Sequence, residues 1–270
     1  MATGTSAGLL DSSDRAQSVF KHAIIRHYMV PFLAMTGSTS QDRRVVVMDG
    51  FAGRGRYPDG TPASAELIMR AVRGLRGSRM VATFFVENDP KQYQELDVVV
   101  SEYAARGLEA KALPGSADDH LDAVIEAARG VPLFLFLDPC GALLPFQRLA
   151  QLVGNARRGL RPPTEVLLNF SADFTRRTAG QLAAGRTEEA GIARLDTICG
   201  GPWWRGVAME AQHSSSTGNF EPAAEAVVAG YAQRLAIFGR GLVDVCVKFS
   251  GGAGQAGAVG VVVDMAGDGG

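Results

Sequence analysis

The run Val45-Val46-Val47-Met48-Asp49-Gly50-Phe51-Ala52-Gly53-Arg54-Gly55 decides the fold. Its first four residues show no alternation of apolar and polar side chains, so both faces are expected to be buried, as in a strand of a parallel sheet. Asp42-Arg43-Arg44 bounds the run on one side and a glycine cluster on the other. Glycine suits a strand-to-helix turn at which side chains would obstruct the approach of a ligand to the backbone. The plainer alternative is a turn that only packs strand against helix.

Working outward, four more runs of the same kind follow: Val81 to Val86, a weaker one at Leu108 to Leu113, Leu133 to Leu137, and Glu165 to Phe170. Helical stretches separate them, at about Ser64 to Leu75, Pro90 to Ala105, Ala117 to Ala128 and Pro145 to Ala156. Strand and helix alternate, which predicts a parallel sheet covered on both faces. Ahead of the sheet, Val19, Phe20, Ala23, Ile24 and Tyr28 recur at helical spacing, so Gln17 to Leu33 is read as an amphipathic leading helix ending near Gly37. Ala179 to Ala236 shows no strand pattern and holds the breaker Gly200-Gly201-Pro202 before Trp203-Trp204; a helical insertion is expected at about 179–238. Leu242 to Phe249 and Ala258 to Met265, joined through Gly251-Gly252-Ala253-Gly254, read as a closing antiparallel hairpin. The expectation is one α/β domain over 17–266, with about seven mostly parallel strands and disordered tails at 1–16 and 267–270.

A chain of 270 residues is long enough to bury a full core and suits one α/β domain with appendages. Lys and Arg number 27 against 28 Asp and Glu, a balance that names no partner and argues against a wholly basic nucleic-acid binder. Cys140, Cys199 and Cys246 are widely spaced with no CxxC pair, which suits a reducing cytoplasm. Met1 to Ala16 lacks the regions of a signal peptide, and no apolar run reaches the roughly 20 residues a membrane span needs. A cytoplasmic protein is expected. His22 and His27 lie five apart while His120 and His213 are isolated, so no metal spacing arises and no metal is expected. The arginines at 70, 73 and 76, at 157, 158 and 161, and at 176 and 177 read as solvated faces, with a phosphate-binding rim as the alternative.

The chemistry-bearing residues fall where the strands end, the edge at which open α/β sheets bind ligands. Glu87, in Val86-Glu87-Asn88-Asp89-Pro90, places a carboxylate where a ribose diol can donate to it, while Asn88 or Asp89 can cap the helix after Pro90. Gly115-Ser116-Ala117-Asp118 follows the third strand, where Ser116 or Asp118 can meet an adenine amine or simply cap a helix. The fourth strand delivers Leu137-Asp138-Pro139-Cys140-Gly141, and Asp138 is the catalytic candidate. An aromatic that would stack on a planar substrate is missing after Pro139, so Phe146 or Phe170 would have to serve. Cys140 reads better as a small buried hydrophobe than as a nucleophile, for no His stands close in sequence to activate it.

Taken together, Lys21-His22 with Tyr28, Asp49 to Tyr57, Asp59-Gly60, Glu87 to Pro90, Leu137 to Gly141 and Asn169-Phe170 resemble the bacterial three-Cys-motif partner protein family, over roughly Gln17 to Arg177. The resemblance implies a Rossmann-like methyltransferase fold and S-adenosylmethionine as cofactor. Asp49, Gly50, Phe51, Ala52, Gly53 and Gly55 would pass under its methionine part, with Asp49 holding the amino group. Glu87 and Asn88 would take the ribose, and Gly115, Ser116 and Ala117 the adenine. Asp138 and Pro139 would be catalytic, and Lys21, Tyr57, Cys140, Gly141, Asn169 and Phe170 would line the substrate side. It further implies a three-cysteine iron–sulfur protein as partner. The loop is also similar to that of an adenine-N6 ribosomal RNA methyltransferase family, which points to methyl transfer onto nitrogen, of a nucleic acid or a small molecule. The chain departs from the family at Cys140, where a phenylalanine is usual, at Ser116, where an acidic residue is common, and in its glycine-rich end from Asp264 to Gly270. Two alternatives stay open: a binding protein of this fold that docks the three-cysteine partner, and a nicotinamide-dependent oxidoreductase, in which Asp138-Pro139 has no evident task.

Overall fold

The computed structural model describes residues 25–38, 40–138, 144–152, 164–215, 218–238, 243–250 and 258–265, the last two segments by backbone alone. Seven strands, β1 (Arg44–Asp49), β2 (Met80–Glu87), β3 (Glu109–Pro114), β4 (Leu133–Leu137), β5 (Thr164–Ser171), β6 (Val243–Ser250) and β7 (Ala258–Met265), lie in the order β3-β2-β1-β4-β5-β7-β6. The first five neighbours are parallel. β7 runs antiparallel to β5 and to β6, with Leu167 opposite Val262 and Cys246 opposite Val262 on the other side. The glycine-rich turn expected between β6 and β7 lies outside the described residues.

The described part of the leading segment begins as a π-helical turn, Ile25–Met29, and continues as α1 (Val30–Thr36), which closes at Gly37 as expected. Pro31 sits in the first turn of α1, where a missing N–H costs no hydrogen bond. Among the described residues eight further helices follow: α2 (Ser64–Gly74), α3 (Pro90–Ala104), α4 (Ala117–Ala127), α5 (Phe146–Gln151), α6 (Ala172–Ala183), α7 (Ala190–Cys199), α8 (Trp203–His213) and α9 (Glu221–Phe238). The part of the expected helix at Pro145 to Ala156 that lies beyond Leu152 falls outside the described residues.

Period-two alternation sorts the strand side chains into two cores. Val45, Val47, Val81, Phe85, Phe134, Phe136 and Leu167 pack with α1, α2 and α3, whereas Val46, Met48, Leu133, Leu135, Val166 and Leu168 pack with α4, α5 and the later helices. The chain steps outward from β1 to β2 to β3 with its helices on one face. It then returns across β1 to β4, and a right-handed crossover in that direction puts α4 and α5 on the opposite face. Phe134 receives the rings of Phe32 at 5.5 Å and Tyr28 at 6.2 Å, which seats the leading segment over β4.

Among the described residues, four helices, α6 to α9, lie between β5 and β6 in the chain. Gly200, at φ +71°, closes α7 in the left-handed conformation that glycine adopts without strain. Trp204 is wholly buried and donates to Asp196 Oδ1 at 2.8 Å. Trp203 packs against Gly230 of α9, where an added Cβ would sit 2.5 Å from its Cζ3. Cys199 is buried and free, and burial pushes its thiol well above the ordinary range, which leaves it inert.

The loop from Arg56 to Pro62 is closed by a bridge between these two residues and anchored by a buried carboxylate that the sequence did not single out. Glu66 of α2 accepts from Arg56 Nε at 2.6 Å, from Arg70 Nη2 at 3.0 Å and from the Tyr103 hydroxyl of α3 at 3.0 Å, while Arg56 also reaches Glu102. Burial alone would raise the Glu66 carboxyl; the hydrogen bonds from Arg56, Tyr103 and Arg70 outweigh it and hold the group below its ordinary 4.5. Glu66→Ala is expected to cost about 2–3 kcal/mol, less than a fully buried pair because both arginines can rehydrate. A group depressed on folding contributes above its unfolded value and loses that contribution as pH falls through the folded one. Thermal melts should therefore separate parent and variant at neutral pH and converge on acidification below 4.5; a constant difference down to the lowest pH would refute the ionised network.

Candidate functional site

Four polar side chains continue one of the two alternating series past the carboxyl ends of adjacent strands: Glu87 on β2, Asp49 on β1, Asp138 after β4 and Asn169 on β5. Each stands an even step from residues that face α1, α2 and α3, so the four share a face. Register sets their heights. Asp49 is level with Phe85 of β2 and Phe136 of β4, so Glu87 and Asp138 lie two residues, about 6–7 Å, further out. The edge is thus notched at β1 between two carboxylates, at the point where the connections to β2 and β4 leave in opposite directions.

The Gly50–Gly55 loop is folded into this notch. Asp49 is fully buried, and its Oδ1 accepts from the Phe51 N–H at 3.1 Å, so the carboxylate braces the loop from within. Gly50 donates to the Phe136 carbonyl at 2.9 Å; a Cβ there would stand 2.7 Å from Leu137 Cδ2 and 3.1 Å from Ala117 Cβ. Gly50 is therefore a glycine for packing, with Ala117 buried beneath it. Ala52 donates to the Val86 carbonyl at 2.9 Å and has its methyl group in the core, so only its backbone is placed to meet a ligand. Phe51 is half-buried against the core on the α4 side. Gly53 has φ +60°, and a Cβ there would meet only Gln92 Oε1, at 3.7 Å. Its need for glycine is conformational, and the space above it is open.

Glu87 joins the loops. Its Oε2 accepts from the Gly53 N–H at 2.9 Å and its Oε1 from the Asp89 N–H at 2.7 Å. Its main-chain carbonyl accepts from the Gly115 N–H at 3.0 Å. Asp89, not Asn88, caps α3, accepting from the Lys91 and Gln92 N–H groups at 3.0 and 2.8 Å; Asn88 stands exposed in the same turn. Gly115 has φ +115°. Ser116 and Asp119 form a reciprocal capping box at the start of α4, and the Ser116 hydroxyl and N–H hold the Asp119 carboxyl below its usual range. Asp118, a candidate for meeting an adenine amine, is instead ion-paired with Arg148 of α5 at 2.5 Å, and Arg148 also reaches Asp122 at 3.1 Å. The two aspartates lie one turn apart on α4, a pattern that signals a cation opposite, though not which one.

Asp138 is 8% exposed, and its Oδ1 accepts from Asn169 Nδ2 at 2.8 Å. The neighbouring Phe170 is corrected by the structure: it faces the other side of the sheet, buried, with its ring 5.0 Å from that of Tyr231. Phe146 is buried as well, edge-on to Tyr231 at 5.5 Å. Both aromatics belong to the core, so neither is available to stack on a substrate. Tyr57 is exposed on the 56–62 loop, which Arg56 anchors to α2 and α3. Lys21, Pro139, Cys140 and Gly141 lie outside the described residues. Among the described residues no cluster of three His, Cys, Asp or Glu is arranged to hold a metal ion, and no helix is long and apolar enough to cross a membrane.

No family model matches the chain, and no curated protein matches it. Among solved structures it is similar to an O-methyltransferase from Bacillus cereus in complex with SAH, at 13% identity and TM-score 0.45 over 94% of this chain and 88% of that one. It is similar to an RNA methyltransferase from Salinibacter ruber in complex with S-adenosyl-L-homocysteine, at 16% identity and TM-score 0.30 over 52% and 73%. A geranyl diphosphate C-methyltransferase from Streptomyces coelicolor gives 12% identity and TM-score 0.36 over 94% and 86%. Likenesses of this size decide neither fold nor activity, and both rest on the chain's own residues.

The packing reading of Gly50 has a direct test. Gly50→Ala should cost about 1–3 kcal/mol by overpacking against Leu137 and Ala117. In a double-mutant cycle with Leu137→Val, which makes room, the two losses should be less than additive by at least about 0.5 kcal/mol. Strict additivity in chemical denaturation would show that the two side chains do not compete for the same space.

Proposed function

We propose that the chain is an S-adenosylmethionine-dependent methyltransferase acting on a nitrogen acceptor. The observation that supports this most is the notch: a glycine loop at β1, with one carboxylate beside it on β2 and another on β4. The residues present fit the cofactor. Glu87 spends one acceptor direction of each oxygen on a backbone N–H, and a carboxylate has about four, so capacity remains for a ribose diol. Gly53 leaves open space over the loop for the methionine part. Gly115 and Ser116, at the end of β3, would border the adenine. Bound there, the cofactor would supply a methyl group activated on a sulfonium sulfur.

The remaining tasks fall to this chain's own groups. Asp138 would accept a hydrogen from the acceptor nitrogen, orienting its lone pair and giving the surplus proton a base to leave by. Asp49, enclosed beneath the loop, would set the loop's shape, which revises the amino-group role that the resemblance implies. The reversed strand β7 and its neighbour β6 would close the sheet as the methyltransferase variant of the Rossmann-like fold does. Hydride transfer is the weaker reading, because it leaves Asp138 without a task.

Calorimetry with S-adenosylhomocysteine is expected to show binding by the parent, and Glu87→Ala should weaken it by about tenfold or more, the scale of a hydrogen bond to a charged group. Asp138→Ala should retain that affinity within about twofold while lowering transfer of label from methyl-labelled cofactor into a cell extract by at least tenfold. No heat of binding from the folded parent would refute the cofactor assignment. Binding without transfer into any fraction would favour instead a docking role toward the three-cysteine iron–sulfur protein that the resemblance implies.

A further inference from the structure

Asn169 bonds to Asp138 through one end of its amide and leaves the other end unanswered among the described residues. Its Nδ2 donates to Asp138 Oδ1 at 2.8 Å, and because a carboxylate oxygen only accepts, this contact fixes which end of the amide points at Asp138. Its Oδ1 is buried and finds no hydrogen-bond donor among the described residues. A buried acceptor without a donor is costly to maintain, and buried polar atoms in folded proteins are almost always paired. The atom therefore points to a donor that the described residues do not supply, beside the group proposed to receive a hydrogen.

We infer that Asp138 and Asn169 form a paired acceptor for a neutral primary amino group, one N–H going to the Asp138 carboxylate and the other to Asn169 Oδ1. The inference rests on the methyl-transfer reading and deepens it to a substrate class: a planar –NH2, as on an amidine, an amide or the exocyclic position of a nucleobase. Other nucleophiles do not satisfy the pair. A hydroxyl or thiol brings one hydrogen and leaves Oδ1 unmet, a secondary amine does the same, and a carbon nucleophile brings none. An ammonium has no lone pair with which to attack. In the step itself the nitrogen lone pair forms the N–C bond, the electrons of the broken S–C bond stay on sulfur to give the thioether, and one of the two protons passes to Asp138 and on to solvent. The product has a single N–H, so it can no longer satisfy both acceptors, and transfer should stop at one methyl group.

Two measurements test this. In the ¹⁵N-labelled protein, the Asn169 carboxamide signal, assigned by its absence in Asn169→Leu, should show one downfield proton that moves upfield in Asp138→Ala. An Asn169 signal that ignores Asp138→Ala would overturn the pairing, whatever the enzyme's activity. In the second, label from methyl-labelled S-adenosylmethionine is followed into a cell extract and the labelled atom is identified after hydrolysis. Monomethylated nitrogen is expected. Asn169→Leu and Asn169→Ser, checked for parental melting temperature and parental S-adenosylhomocysteine affinity, should lower transfer at least tenfold at limiting extract. Label on oxygen, sulfur or carbon, dimethylated nitrogen, or parental transfer by a folded Asn169 variant would overturn the paired acceptor while leaving methyl transfer standing. No label in any fraction would refute the methyl-transfer reading itself, and the substrate class with it.

Discussion

The site depends on one carboxylate that serves three loops. Glu87 holds the Gly53 N–H with one oxygen and the Asp89 N–H with the other, and its own carbonyl receives the Gly115 N–H. The ends of β1, β2 and β3 are thereby tied to a single residue at the sheet's carboxyl edge. Each bond to the carboxylate is charge-assisted, stronger than a neutral one. Gly53, whose N–H Glu87 receives, turns the chain through φ +60°, a conformation that favours glycine. A diol arriving at Glu87 would thus meet a carboxylate already held in place, with little ordering left to do.

Asp138 is held differently. It lies one residue beyond β4 and is steadied by a side chain from the next strand, Asn169, one step beyond the register pair Leu137 and Leu168. Glu87 is fixed by backbone donors that any sequence with this turn would supply, whereas the contact between Asn169 and Asp138 requires a side-chain donor. On the methyl-transfer reading, a cofactor end braced by backbone would tolerate sequence change, while an acceptor end braced by a side chain would set specificity. The three other strand-end groups can be kept while the acceptor end is altered by changing Asn169 or what surrounds it.

Much of this was legible in the sequence where local rules apply. The valine run marked β1, the glycine loop marked where that strand ends, and Glu87 and Asp138 were singled out as candidates because strand ends carry ligands in open α/β sheets. Gly200-Gly201-Pro202 marked the close of α7. What escaped were pairings between distant elements. Glu66 draws on Arg56, Arg70 and Tyr103, which meet only because α2 crosses α3, and no spacing along the chain announces that. Asp118 offered itself equally to a ligand and to a cation, and Arg148, thirty positions on, decided the matter.

Asn169 and Phe170 show the limit most sharply, since adjacent residues in one motif were assigned one role. In a strand, neighbours point to opposite faces, so at most one of the two could reach the side on which Asp49, Glu87 and Asp138 stand. Which one follows from residues well before them: Leu167 faces α2 and α3 and Leu168 faces α4, so Asn169 joins the polar row and Phe170 enters the core with Tyr231. The parity of each strand's burial pattern, carried to its last residue, therefore says which strand-end side chains can share a site. The same parity places Asp49 of β1 and Asp138, just past β4, on one face. It also accounts for the seat of the leading segment, because Phe134, which receives Tyr28 and Phe32, lies four residues before Asp138 in the same series. The segment that packs over β4 is thereby on the side from which the acceptor group would approach Asp138 and Asn169.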